Sequence, residues 1–401
     1  MKRAIKYQLV DHKSKFIVRD YLILTVVIFI SSFKSAVLSS EYGDLFVAGL
    51  PPYISLPQTY ANYLIILLML LSIVLQKDTA RKLEKKSAIL AFGIFQFMIA
   101  VVTQEQGWVV KSISVLIVLI YFMLVVSNMY FYKNNYRLDN AVNAMYYGTA
   151  LFCIYNVLVY LLIPDLLTWK GRVFGVTMHP NFLGVAAALA FILSFYKVAY
   201  TDNRIRVFRL FNFLSVGVSL FVVYLSDSRT ALGLCFLAVA YFVSIKLKNH
   251  LLKTVLLLGC AIAALVFYTI YMQGSVSTED LGGRGFNRET TWVQLWENVL
   301  DPTLFGLGKV GATANSYLFA IVATGVVGGT FFYYAIISII IKIKQNEVRP
   351  QVFYNVLAIG LLFSAILEGF LLDAISIPVF TCWTLIGFGT MKSKLKKIYG
   401  R

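Results

Sequence analysis

Charge is scarce in this chain of 401 residues. Lysine, arginine, aspartate and glutamate make up only 14% of it, against about a quarter in soluble globular proteins. With 59% hydrophobic residues and a mean hydropathy of +0.76, such a chain cannot cover its surface with polar groups in water. A soluble multidomain protein is therefore excluded. Histidine is nearly missing, at three residues. No HExxH, Walker loop, GxSxG or multi-histidine spacing stands on the loops expected to face outward, so neither a metal nor a cofactor is expected. Cysteine is rare too. Cys153, Cys235, Cys260 and Cys382 each sit inside an apolar run, which reads as buried thiols and excludes a disulfide framework. No small-residue cleavage site follows the first apolar stretch, so no cleavable signal peptide is expected.

What is present is apolar length. A bilayer core asks for about 20 apolar residues per helix. Twelve stretches qualify, near 20–40, 59–76, 87–103, 108–132, 140–163, 180–198, 210–226, 230–246, 253–272, 315–341, 353–371 and 376–391. The expectation is an all-α polytopic membrane protein of about 12 transmembrane helices, a single integral membrane domain over 1–401. The short loops leave no room for a soluble catalytic domain, and no internal repeat divides the chain into halves.

The direction of the spans follows from the basic residues. Segments 1–19, 77–86, 133–139, 197–209, 246–253, 342–349 and 392–401 hold 28 of the 36 lysines and arginines. They alternate with acid-rich loops, so they are expected to be cytoplasmic, along with both termini. The net charge of +17 then sets topology and implies no nucleic-acid partner. Eight cations remain in the outer loops and spans: Lys34, Lys111, Lys170, Arg172, Arg229, Arg284, Arg288 and Lys309. For Lys34, Lys111 and Lys309, snorkelling to lipid head groups is the default. The four arginines stand in three short polar segments, against the topogenic bias.

Those segments flank helix starts. With the N-terminus inside, even-numbered helices begin at the outer face, where free N–H groups and the positive dipole end favour anions. Before helix six stands Lys170-Gly171-Arg172, then His179-Pro180-Asn181, with proline suited to the first turn. Before helix eight stands Ser226-Asp227-Ser228-Arg229-Thr230. Before helix ten stands Gly306-Leu307-Gly308, then Ala314-Asn315-Ser316-Tyr317-Leu318.

The longest outer loop, 273–314, contains Gly282-Gly283-Arg284-Gly285, Arg288 and Glu289. From Asn287 to Leu300, Trp292, Leu295, Trp296, Val299 and Leu300 share one helical face. This predicts an amphipathic interfacial helix near 288–300, either resting on the bilayer or acting as a lid over an outer cavity. Glu368 and Asp373 read as a proton-coupling pair, as plain loop acids or as partners of the arginines.

In these motifs the chain resembles the O-antigen ligase and polymerase superfamily, the Wzy- and WaaL-like membrane glycosyltransferases. Arg172-x-x-Gly175 leading to His179-Pro180-Asn181 is similar to that family's first outer motif, and Ser226-Asp227-Ser228-Arg229-Thr230 to its second. Gly283-Arg284, Trp292, Gly306-x-Gly308 and Asn315-Ser316-Tyr317-Leu318 resemble its large outer loop and the helix after it. Family members commonly carry a histidine before the last asparagine, thought to be catalytic in the ligases; here that position is Ala314.

The resemblance implies a GT-C-like fold and transfer of an undecaprenyl-diphosphate-linked glycan at the outer face of the bacterial plasma membrane. It implies a metal-independent polymerase of O-antigen, capsule or exopolysaccharide, with donor and acceptor lipids, a flippase and a chain-length regulator as partners. On that basis Arg172, Arg229 and Arg284 are expected to hold the diphosphates. Lys170 and Arg288 add charge, while Asn181, Asn315 and Tyr317 position sugar or phosphate. His179, Asp227 and Glu289 are the candidates for the base. A ligase, a lipid-linked glycan flippase or transporter, and a scaffold in an assembly complex are the alternatives.

Overall fold

The computed structural model describes residues 18–34, 50–75, 87–103, 106–126, 140–169, 171–177, 179–200, 206–246, 254, 293–299, 304–307, 315–345, 351–367, 369 and 375–389. It is a helical membrane protein. The helices are α1 (18–30), α2 (Pro52–Val74), α3 (Ser87–Val102), α4 (Gln106–Tyr121), α5 (Asn140–Leu162), α6 (Pro180–Tyr200), α7 (Arg206–Ser226), α8 (Arg229–Lys246), α9 (293–299), α10 (Ser316–Gln345), α11 (Gln351–Leu367) and α12 (Ile377–Gly389). Among the described residues six stretches have the length and apolarity of a bilayer crossing, one of them, Ser316–Ser338, interrupted at Gly325. Among the described residues one two-stranded antiparallel hairpin, β1 (Thr168–Trp169) and β2 (Arg172–Val173), interrupts the helices.

Helix α6 is the centre. Its apolar window is 72% buried, against 28% for α2 and α7, which turn a face to lipid. Small residues give α6 this place: Gly184, Ala186, Ala187, Ala188, Ala190 and Ser194. They let neighbouring backbones approach closely, the main source of helix association in an apolar solvent. The most extensive packing is α6 on α7, where α7 buries Asn212, Ser215, Ser219, Val222, Val223 and Ser226. Polar groups on these faces are satisfied between helices or within them. Tyr146 of α5 donates to Asn212 Oδ1 at 2.6 Å, Lys197 of α6 donates to Asn143, and Ser215 and Ser219 donate to carbonyls one turn back.

Several helix boundaries lie where the sequence puts them, above all from α5 to α8. Helix α2 starts earlier than the run from 59, because Pro51 and Pro52 open it and Pro57 is accommodated inside its first turns. Helix α4 ends in a π-helical turn, Phe122–Val126. The ninth expected span and residue Cys260 lie outside the described residues, apart from Thr254 in that span.

Helix ten is corrected. A single helix over 315–341 was expected, but the chain reverses at Gly325, whose φ of 68° and ψ of −174° are not helical. The Tyr317 ring lies flat against Tyr333, with centres 5.7 Å apart, and the Tyr333 hydroxyl donates to the Tyr317 carbonyl at 3.0 Å. In a straight helix those residues would be about 24 Å apart. Residues 316–324 therefore form a half-helix that runs up to Gly325, and 326–345 run back. Leu307 N–H donates to the Val322 carbonyl at 2.9 Å, so 304–307 cross the tip. Gly306 and Gly325 meet back to back there, both with positive φ and with no room for a Cβ on either.

One close approach sets the position of the turn between α7 and α8. A Cβ on Gly184 would lie 2.5 Å from the Ser228 Cβ and 2.6 Å from the Ser226 Oγ. Gly184→Ala is expected to push the turn at 226–228 away from α6, at a cost of about 1–3 kcal/mol. A thermal unfolding midpoint in detergent equal to that of the parent protein would contradict this packing.

Candidate functional site

The site grows from the segment between α5 and α6. After α5 the chain makes a short 3₁₀ turn (Asp165–Leu167) and the β1–β2 hairpin, whose cross-strand partners are Thr168 with Val173 and Trp169 with Arg172. The next residues, Phe174 to Thr177, are buried and pinned on three sides. Asn156 Oδ1 of α5 accepts the Val176 N–H at 3.0 Å. The Val176 carbonyl accepts from Lys34 N–H at 3.0 Å and from Gln58 Nε2 at 3.1 Å. A loop at the end of a membrane bundle is thereby fixed by α5, by the chain just after α1 and by α2.

This pinning aims Arg172 at two helix ends. Its Nε donates to the Ser226 carbonyl at 3.1 Å, and its Nη2 donates to Asn181 Oδ1 at 2.7 Å. Ser226 is the last residue of α7, where unsatisfied carbonyls attract a cation; Asn181 is the second residue of α6. The first and second sequence motifs, separated by some fifty residues, thus meet on one guanidinium.

The turn behind Ser226 is tight. Asp227 takes a left-handed backbone, φ 46°, which costs a non-glycine residue about 1–2 kcal/mol. Its N–H returns to the Tyr224 carbonyl at 3.1 Å. The Ser228 hydroxyl caps α8 by accepting the Ala231 N–H at 3.4 Å, and Arg229 is the first helical residue. A cation at a helix N-terminus opposes the dipole. Arg229 and the start of α8 therefore reinforce each other as an anion trap. Arg229 is exposed, whereas Arg172, His179, Asn181 and Asp227 are half-buried.

His179 caps α6. Its Nδ1 accepts the Asn181 N–H at 3.1 Å. The neutral ring then carries its proton on Nε2, and in this geometry it offers a donor rather than a base. Its ring centre is 5.7 Å from that of Trp169, and it meets Phe182 edge-on at 6.3 Å.

Asn315 and Tyr317 stand elsewhere. Asn315 Oδ1 accepts the N–H groups of Tyr317 at 2.9 Å and Leu318 at 3.2 Å, which makes it the cap of α10. The half-helix carries that cap alongside the Tyr333 region, roughly 13 Å along the helix axis from the tip at Gly325. Helix α10 packs chiefly on α3, α11 and α12. Within the expected interfacial helix, residues 293–299 are described: Leu295 is buried, while Val293 and Trp296 are about half exposed. Lys170, Arg284, Arg288, Glu289, Trp292, Lys309, Ala314, Glu368 and Asp373 lie outside the described residues.

Sequence reading missed Trp169 and Asn156. The hairpin had a signal, two extended residues on either side of a two-residue turn containing Gly171. Asn156 had none, because a polar residue inside an apolar helix does not name its partner.

An Arg172 that joins α6 to α7 predicts energetic coupling. In a double-mutant cycle of Arg172→Leu and Asn181→Leu, measured by thermal unfolding in detergent, a coupling of about 1–3 kcal/mol is expected. Additive effects would contradict the bond.

Comparison of the chain with protein-family models, with curated proteins and with solved structures gives no match.

Proposed function

We propose that the chain is a polysaccharide polymerase of the O-antigen ligase and polymerase superfamily. It has about twelve spans, cytoplasmic termini and a GT-C-like arrangement. Its site faces outward from the bacterial plasma membrane. It moves a glycan from undecaprenyl diphosphate to a lipid-linked repeat unit. The observation that carries the reading is Arg172, held between the Ser226 carbonyl and Asn181 beside a helix that opens with Arg229.

The chemistry suits that arrangement. As the glycosidic bond to the diphosphate breaks, negative charge builds on the phosphate oxygens. Arginine stays protonated and grips phosphate in a planar fork. Cations and helix starts fixed in advance stabilise such charge without reorganising. Arg172, Arg229 and Arg284 take the diphosphates, with Lys170 and Arg288 adding to the field. Asn181 orients Arg172. With His179 Nδ1 engaged by α6, the acceptor hydroxyl gives its proton to Asp227 or Glu289. Transfer to a different carrier, as in a ligase, uses the same parts.

A second reading has one observation in its favour. Discontinuous helices are a hallmark of secondary transporters, and α10 is broken at Gly325. A lipid-linked glycan transporter is that reading.

One assay separates the three. Purified protein in vesicles is given a single synthetic lipid-diphosphate repeat unit. A product ladder is the polymerase result; transfer only to a second acceptor is the ligase result; movement of label across the bilayer without chemistry is the transporter result. In cells, Arg172→Ala, Arg229→Ala and Arg284→Ala are each expected to abolish polymer while the protein still reaches the membrane. Normal polymer from all three would end the diphosphate assignment. Ala314→His is expected to leave activity intact or raise it, and a clear loss would show a site rebuilt around alanine.

A further inference from the structure

The hairpin that aims Arg172 carries an aromatic residue directly across from it. Trp169 and Arg172 are cross-strand partners, and facing residues of an antiparallel pair project from the same side of the ribbon. Both side chains run to the start of α6: Arg172 to Asn181 at 2.7 Å, and the half-buried indole to the His179 ring at 5.7 Å with planes inclined by 58°. The His179 ring is fixed in turn, by the Asn181 N–H on its Nδ1 and by the edge of Phe182. Its proton consequently sits on Nε2.

An aromatic face, a ring N–H of fixed tautomer and a guanidinium, from Trp169, His179 and Arg172, are what a glycosyl phosphate requires. A pyranose has a patch of C–H groups on one face and hydroxyls at its rim. The C–H patch suits the electron-rich face of an indole, and a rim hydroxyl suits the imidazole N–H. Resting on the diphosphate reading, we propose that Trp169 and His179 form a sugar subsite. The pyranose bonded to the diphosphate lies on the Trp169 indole, with a hydroxyl accepting from His179 Nε2–H, while Arg172 holds the adjoining phosphate. An interfacial tryptophan that only anchors the chain in the head-group layer would not distinguish a sugar-bearing lipid from a bare one.

The test measures equilibrium binding of two probes to the protein in nanodiscs: polyprenyl diphosphate bearing one pyranose, and polyprenyl diphosphate without it. Trp169→Ala is expected to weaken the sugar-bearing probe about tenfold, or about 1.4 kcal/mol, and to leave the bare probe unchanged. Trp169→Phe, which keeps a ring, is expected to retain most of the affinity. Equal losses for both probes, or no loss for the sugar-bearing one, overturn the subsite and leave the diphosphate reading standing. If the parent protein binds the bare probe no better than polyprenol, the diphosphate reading falls and the subsite falls with it.

Discussion

A single guanidinium joins two helix ends that would otherwise expose opposite partial charges. Arg172 meets the α7 carboxyl-terminal carbonyl through Nε and reaches the first turn of α6 through Asn181. Hydrogen bonds to a charged group contribute about 1.5–3 kcal/mol each. Their effect here is geometric as well: they fix the hairpin, the α6 start and the α7–α8 turn as one unit. The proposed site depends on that unit, because it sets where the fork of Arg172 points and where Asp227 and Arg229 stand.

The unit exists because its surroundings are tight. Gly184 lets the 226–228 turn lie directly on α6, and the alanines below it bring α7 close enough for Ser226 to meet Arg172. Asn156 and Gln58 hold the Phe174–Thr177 loop from two further helices. Irregular backbone is tolerated at membrane depth only where protein satisfies its polar groups. The same rule governs α10, where Leu307 N–H is received by the half-helix at Val322.

Much of the helical layout was legible in the sequence, for a physical reason. Proline, serine and basic residues punctuate apolar runs, and the starts of α6 and α8 follow from Pro180 and Ser228-Arg229. The order of the motifs was legible too, and with it the notion that 172–181 and 226–230 belong together. Their actual link, a side chain on a backbone carbonyl, leaves no trace in composition. The reversal at Gly325 was hidden because hydropathy has no direction: an apolar run that turns back on itself reads the same as one that continues. Asn315 illustrates the consequence. Its place at a helix start was legible, the break nine residues into that helix was not.

The central claim is that the mouth of α6 and the start of α8 receive a pyrophosphoryl lipid. The most direct measurement is a cryo-electron microscopy map of the protein in nanodiscs saturated with polyprenyl diphosphate. The account predicts diphosphate density within hydrogen-bonding reach of Arg172 and Arg229, at the end of the bundle where Asn181 and Asp227 lie. Diphosphate density at the opposite end of the bundle, or along α10 with the Arg172 mouth empty, would contradict it.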